Sequence, residues 1–343
     1  MTARDDATAA SAGGAGDQPV AATRRVAAID CGTNSIRLLV ADVDPVRRTL
    51  TDVDRRLEIV RLGQGVDKTG RLAPAALQRT LAALREYVAV IGACRVDGVR
   101  MVATSATRDA ANAAEFTRGV LDILGVKPEV LSGDEEARLS FTGATAEFGA
   151  MSDPPAPPYL VLDIGGGSTE LVLGGGRRGD GAVGPGEVAA VSLNIGCVRM
   201  TERHLHSDPP THAEIAAATA DIDAALDRAA VAVDAARASS LVGLAGSVTT
   251  VAAIALDLPG YDPARIHHAR IAAAAVRSVT GRLLAQTRAE RSVIPAMHPG
   301  RIDVIGAGAL VLDRVMRRFG FAEVVVSEHD ILDGIAWSML PPR

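Results

Sequence analysis

An α/β chain made of two similar units, each running strand–strand–strand–helix–strand–helix, is predicted by three observations. The first is a segment present twice: DCGTNSIRLLV at 30–40 and DIGGGSTELVL at 163–173 share Asp30/Asp163, Gly32/Gly165, Ser35/Ser168 and Leu38/Leu171. The second is the apolar run before each copy, VAAI at 26–29 and LVL at 160–162, so that each reads as strand, acid, tight turn, strand. The third is the alternation of short β-type runs with longer helical stripes downstream of both copies.

The first unit opens with strands expected at 26–30, 35–42 and 48–62. A helix over 74–91 follows, with Pro74 at its start and Leu77, Leu81, Leu84, Val88 and Ile91 on one stripe. GVRMVAT at 98–104 reads as a buried strand, 109–124 as a helix stopped by Gly125, 126–131 as a short strand and 134–148 as a helix. The proline-rich stretch 151–158 separates the units. The second unit gives strands at 159–164, 168–174 and 187–194, and an Ala-rich helix at 212–237. A strand at 241–246, helices at 248–257, 269–286 and 303–319, a strand at 322–327 and a final helix from 329 complete it. Two βββαβα units describe a duplicated RNase H-like fold with an interdomain cleft, the architecture of the actin, sugar-kinase and heat-shock-chaperone superfamily.

Composition narrows the function classes. At 343 residues the chain is long enough for two cores, and 48% hydrophobic with 22% charged residues is a globular balance. A net charge of −5 argues against non-specific nucleic-acid binding, and no nucleic-acid partner is expected. Cys31, Cys94 and Cys197 are few and far apart, which points to neither a disulfide framework nor a zinc site but to a reducing, cytoplasmic setting. No apolar stretch reaches membrane-spanning length, and residues 1–23 read as a disordered tail. Lysines are confined to Lys68 and Lys127, so any anion site relies on arginine.

Turns with little side-chain bulk let backbone N–H groups approach an anion. Gly165, Gly166, Gly167 and Ser168 form one such phosphate cradle, and Gly32, Thr33, Asn34 and Ser35 the matching one; the plain alternative for each is a structural hairpin. Asp163 and Glu170, on paired strands, are expected to hold one divalent metal, Mg²⁺ or Mn²⁺, through hard oxygen donors. In the first copy Arg37 stands where Glu170 stands in the second, which fits a single metal site. Glu135 and Glu136, in SGDEEAR, are the source of a general base; about 100° apart on a helix, only one can face a cleft. Arg108 is placed to hold a terminal phosphate or, alternatively, to pair with Asp109. The turn at Gly243–Ser247 resembles the place where superfamily relatives hold an adenosine, and close strand-to-helix packing explains it equally well. His204, His206, His267 and His268 are read as solvated loop residues rather than a metal cluster, and Arg177–Arg178 and Arg317–Arg318 as solvated surface pairs.

These motifs together resemble the exopolyphosphatase/guanosine pentaphosphate phosphatase family, in its short two-domain type. The resemblance is carried by DCGTNSIRLLV, RLGQGVDKTGRL at 61–72, ATSATRDA at 103–110, SGDEEARLSFTG at 132–143, DIGGGSTEL and GLAGSVTT at 243–250. It implies an exopolyphosphatase that releases terminal orthophosphate from linear polyphosphate with Mg²⁺, Glu136 of the glutamate pair being the base. It also implies a homodimer, with domain I over 24–132 plus 328–343 and domain II over 133–327. Guanosine pentaphosphate is the nearest alternative substrate, and an ATP-dependent kinase or a non-catalytic nucleotide sensor are the readings from other classes.

Overall fold

The computed structural model describes residues 23–47, 49–175 and 188–340. The expectations for the tail 1–22 and for Arg177–Arg178 lie outside these residues.

Each unit opens with three antiparallel strands: β1 (Arg24–Cys31), β2 (Ser35–Asp44) and β3 (Thr49–Ile59) in the first. After a one-turn helix α1 (Val66–Thr69), helix α2 (Pro74–Cys94) starts at the expected proline and buries Leu77, Leu84 and Ile91 of its predicted stripe. Strand β4 (Gly98–Ala103) runs parallel to β1. The helix expected from 109 divides into α3 (Ser105–Arg108) and α4 (Ala113–Leu124), ended by Gly125 with φ 71°. Strand β5 shrinks to Glu129–Val130, and α5 (Gly133–Thr145) follows. The first sheet has the order β3-β2-β1-β4-β5.

The second unit repeats this with β6 (Tyr159–Ile164), β7 (Thr169–Gly174) and β8 (Ala189–Leu193). Then come α6 (Cys197–His204), α7 (His212–Ala232), β9 (Ser240–Leu244), α8 (Ala245–Ala255) and α9 (Pro263–Ile266). The helix expected from 269 begins as a short strand β10 (Arg270–Ala272) before α10 (Ala273–Ala285). The chain closes with α11 (Arg288–Ser292), α12 (Ile305–Phe319), β11 (Glu323–Val326) and α13 (Ile331–Ser338). The second sheet, β10-β11-β9-β6-β7-β8, holds the same five-strand order as the first plus β10 at its edge. Helices α6, α9 and α11 are absent from the sequence reading: each is eight residues or shorter, too brief for an apolar period to show.

The last helix of each unit packs on the other unit's sheet. Helix α5 buries Ala137, Phe141 and Ala144 against Tyr159, Val161 and Val172 of β6 and β7. Helix α13 buries Ile331, Leu332, Ile335 and Ala336 against Val26, Ala28, Leu39 and Ala41 of β1 and β2. The two helices cross backbone to backbone. A Cβ on Gly143 would overlap the Asp330 carbonyl, and one on Gly334 the Leu139 carbonyl. Both glycines are needed for close approach rather than for a turn.

Candidate active site

The two repeated turns face each other and touch. A Cβ on Gly166 would lie 2.9 Å from Thr33 Cβ, and one on Gly167 would lie 2.6 Å from Ser105 Oγ and 2.7 Å from Thr33 Oγ1. Side chains at 166 or 167 would wedge the turns apart, which is why this copy is all glycine. The Thr33 and Ser105 hydroxyls are 2.9 Å apart in a buried hydrogen bond.

The carbonyls of each turn are taken by the segment after that unit's third strand. Thr33 O accepts from Gly63 N, and Asn34 O from the N–H groups of Val60 and Arg61. Gly165 O accepts from Cys197 N, Gly166 O from Val198 N and Arg199 N, and Gly167 O from Gly196 N. Among the described residues no acceptor takes the N–H groups of Thr33, Asn34, Gly166 or Gly167. Four unclaimed amides at two touching turns make a nest suited to an anion.

Beside the turns the two copies carry different side chains at one register. Asp30 pairs with Arg37 across β1 and β2, and Asp163 with Glu170 across β6 and β7. Arg37 donates to Asp30 at 2.6 Å and also to Asp330, the N-cap residue of α13, so the first copy is internally paired. Asp163 accepts from Ser140 Oγ at 2.6 Å and Glu170 from Ser192 Oγ at 2.7 Å, but among the described residues no cation pairs with either. Burial, with Asp163 as neighbour, pushes Glu170 up to about 8; burial, with Asp330 nearby, pushes Asp163 up to about 6.

Glu136 completes this acidic group. It lies one turn before Ser140 on the face of α5 turned to β6, only 8% exposed. Burial and the nearby Glu170 charge raise its pKa well above the carboxylate range, and Arg108 Nη1, donating at 3.1 Å, partly offsets this. Arg108 also donates to Leu131 O. Asp109, the acid expected as its alternative partner, is 3.9 Å away, and Glu136 is the nearer carboxylate. Glu135 turns the other way. It accepts from Ser132 N and Oγ in the capping box that starts α5, and those bonds hold its pKa down. Glu135 is therefore the helix cap and faces away from the cluster, so the expectation that it could share the base role with Glu136 is corrected: of the pair, Glu136 alone faces the cluster.

The donor set suits a hard divalent cation. Asp163 and Glu170 offer buried carboxylate oxygens on one sheet face, with raised pKa values that a cation would relieve, and Mg²⁺ commonly uses one or two carboxylates plus phosphate and water.

Other residues take positions that no local pattern announces. The Arg301 guanidinium lies so close over Gly246 that a Cβ there would overlap it, and it makes no ion pair or side-chain hydrogen bond among the described residues. It occupies the turn compared above with an adenosine site. His267 is not a solvated loop residue: with His329 and Glu147 it forms a cluster whose donor atoms lie within 4.8 Å of one another, and His268 stacks on it at 3.6 Å. His267 Nδ1 accepts from Glu328 N, which places the ring proton on Nε2, toward Glu147 Oε2 at 3.4 Å. That leaves His267 no lone pair for a metal. His204 pairs with Asp221. Arg317 pairs with the buried Asp313, and Arg318 with Asp227 at the surface.

Residues 39–343 match the model of the Ppx/GppA phosphatase family. The chain belongs to this family. Exopolyphosphatase 2 of Mycobacterium tuberculosis is 48% identical over 329 residues, covering 93% of this chain and 99% of that protein. A bifunctional 3-dehydroquinate synthase/phosphatase of Fusobacterium nucleatum is 33% identical over 90% of this chain and 45% of its own length. Among solved structures, an exopolyphosphatase-like protein superposes with a TM-score of 0.85 at 47% identity, covering 92% of this chain and 97% of that one. The Aquifex aeolicus Ppx/GppA enzyme gives 0.74 at 30%, covering 92% and 100%. As a Ppx/GppA phosphatase this chain is a hydrolase, and its two-sheet α/β architecture is the actin-like two-domain fold of that family. Among the described residues no helix is long and apolar enough to cross a membrane.

Proposed function

We propose that this Ppx/GppA phosphatase is an exopolyphosphatase that releases orthophosphate from the end of linear polyphosphate. The observation that carries this reading is Glu136, a nearly buried carboxylate in contact with Arg108, set beside the Asp163–Glu170 pair and the two amide-lined turns. The likeness over nearly its full length to a mycobacterial exopolyphosphatase supports the substrate class.

The residues divide the work as follows. The amides of Thr33, Asn34, Gly166 and Gly167, with the hydroxyls of Ser35 and Ser168 at the ends of the turns, receive the terminal phosphate, and Gly32 and Gly165 keep the turns free of bulk. Arg108 has Nη2 without a partner among the described residues and presents it to the same oxygens. Arg301, without an ion pair among the described residues, meets the polyphosphate chain further along. Asp163 and Glu170 would hold Mg²⁺, which neutralises charge developing on the transferred phosphoryl group. Glu136 accepts the proton of the attacking water; burial and the neighbouring Glu170 charge raise its pKa and so make it a stronger base than an exposed carboxylate.

The same reading assigns 24–132 with 328–343 to one domain and 133–327 to the other, supported by the packing of α13 on the first sheet and α5 on the second. A homodimer and a reducing, cytoplasmic setting belong to it as well, the setting supported by three free cysteines.

Orthophosphate release from polyphosphate, with and without Mg²⁺, tests the proposal, with guanosine pentaphosphate and ATP run in parallel. Metal-dependent release from polyphosphate at a higher kcat/KM than from either nucleotide is expected. Preference for guanosine pentaphosphate moves the substrate to the alarmone, and turnover of ATP only with an added acceptor makes the chain a kinase.

A further inference from the structure

The motif RLGQGVDKTGRL at 61–72 has no part in the chemistry above, yet it touches almost everything that positions it. Its first residues hold the turn of the first unit: Arg61 N and Gly63 N donate to Asn34 O and Thr33 O. Its next residues reach the second unit. Gly65 N donates to both carboxylate oxygens of Glu202 at 3.1 Å, and Asp67 accepts from Arg199 at 3.0 Å and from Arg203 at 3.1 Å. On the opposite flank Arg61 pairs with Asp303 at 3.1 Å. Arg61 and Gly65 both have left-handed backbone, φ 51° and 76°, which gives the loop its two sharp corners.

Arg199 stands at the centre of these contacts. Its backbone N–H holds Gly166 O of the second turn at 3.1 Å, while its guanidinium spans to the first unit, reaching Asp67 and, at 2.6 Å, Asp109. Asp109 is the residue after Arg108, whose own guanidinium contacts Glu136. One residue thus ties together the second phosphate turn, the loop that holds the first turn, and the end of the helix that carries Arg108. Its side chain is only 11% exposed, and a planar fork is the group suited to bridging two carboxylates.

We propose that the 61–70 loop is a clasp that fixes the spacing of the two phosphate turns in the closed molecule, and that Arg199 is its positioning residue. The segment holding one turn is bolted to the segment holding the other, so Asp67, Arg199 and Glu202 keep the two sets of unclaimed amides at the separation at which the turns touch. The acids Asp67, Asp109 and Glu202 around Arg199 make the place unsuited to the anionic substrate, so Arg199 acts through other residues. The inference rests on the exopolyphosphatase reading for its kinetic consequence but not for its structural one.

Arg199→Ala and Arg199→Lys, compared with the unaltered protein, test it by solution X-ray scattering, thermal unfolding and polyphosphate kinetics. Arg199→Ala is expected to remain folded, to increase the radius of gyration, and to lower kcat about 10- to 100-fold with KM changed less than about 3-fold, the scale of a small misplacement of reacting groups. Arg199→Lys keeps one ion pair and is expected to recover a substantial part of kcat and of the compact radius. A radius in Arg199→Ala equal to that of the unaltered protein overturns the clasp, whether or not polyphosphate is hydrolysed. A rise in KM at constant kcat also overturns it, by making Arg199 a substrate contact. If the unaltered protein releases no orthophosphate, the exopolyphosphatase reading fails and the scattering comparison still decides the clasp.

Discussion

The two copies of the strand–turn–strand segment share a backbone and differ in charge. In the first, Asp30 meets Arg37, which also holds Asp330, so one buried cation serves two buried carboxylates. In the second, Asp163 meets Glu170 at the same register, and among the described residues both buried carboxylates have hydroxyl partners only. One substitution at an equivalent position thus separates a structural ion pair from a site that favours protons or a divalent cation. The repeat supplies two phosphate turns, and the break in the repeat supplies the chemistry.

The comparison is tested most severely at Glu136, the carboxylate beside the uncompensated copy. Glu136→Gln is expected to keep the fold and to lower kcat for orthophosphate release by about 10²–10⁴, the usual contribution of a general base; turnover near that of the unaltered protein would remove the residue from the mechanism. Next in size is the paired copy. Arg37→Met leaves Asp30 and Asp330 buried without their cation and is expected to cost about 3–5 kcal/mol in chemical denaturation. A loss below about 1 kcal/mol, the value of a surface pair, would mean that the first copy does not depend on its ion pair.

The third test is pH. Glu170 binds its proton more tightly folded, to about pH 8, than unfolded, where its ordinary value is 4.5. For such a group stability is fully present below the unfolded pKa and is lost as pH rises through the folded one. Metal-free protein is therefore expected to lose melting temperature from about pH 4.5 to 8 relative to Glu170→Gln, and Mg²⁺ to raise it more at pH 8 than at pH 6. Parallel melting curves for the two proteins across that range would contradict the assignment. The smallest effect is expected at Glu135. Glu135→Gln keeps kcat within about 2-fold and costs no more than about 1 kcal/mol, the scale of a helix cap.

Much of this comparison is legible in the residues. The doubled segment, the proline at the start of α2, the succession of strands and helices and the glutamate pair all follow from local pattern. Glu135 could have been assigned from sequence as well, since Ser132 three residues before it is the capping-box signature. Glu136 and Ser140, one helical turn apart, mark the face of α5 that meets Asp163. Other features depend on contacts that no short window contains. Arg301 has no local signal, and its meaning comes from Gly246, which lets a guanidinium lie against the backbone. His267, His329 and Glu147 meet only because α5 and the approach to α13 run side by side. Arg199 lies in an eight-residue helix too short to announce itself, and its partners are 90 and 132 residues away.

The bare crossing of α5 and α13 bears on how the chain can be divided. Each helix is covalently attached to one unit and covers the apolar sheet face of the other. Cutting the chain at the proline-rich stretch 151–158 would give a first fragment holding α5 without the sheet it covers, and missing α13, whose absence uncovers Val26, Ala28, Leu39 and Ala41. The second fragment would carry the reverse defect. The repeat suggests two interchangeable pieces, but neither is expected to fold alone: each sheet acquires its final layer from the other half, through an exchange of helices made where Gly143 and Gly334 let the two backbones meet.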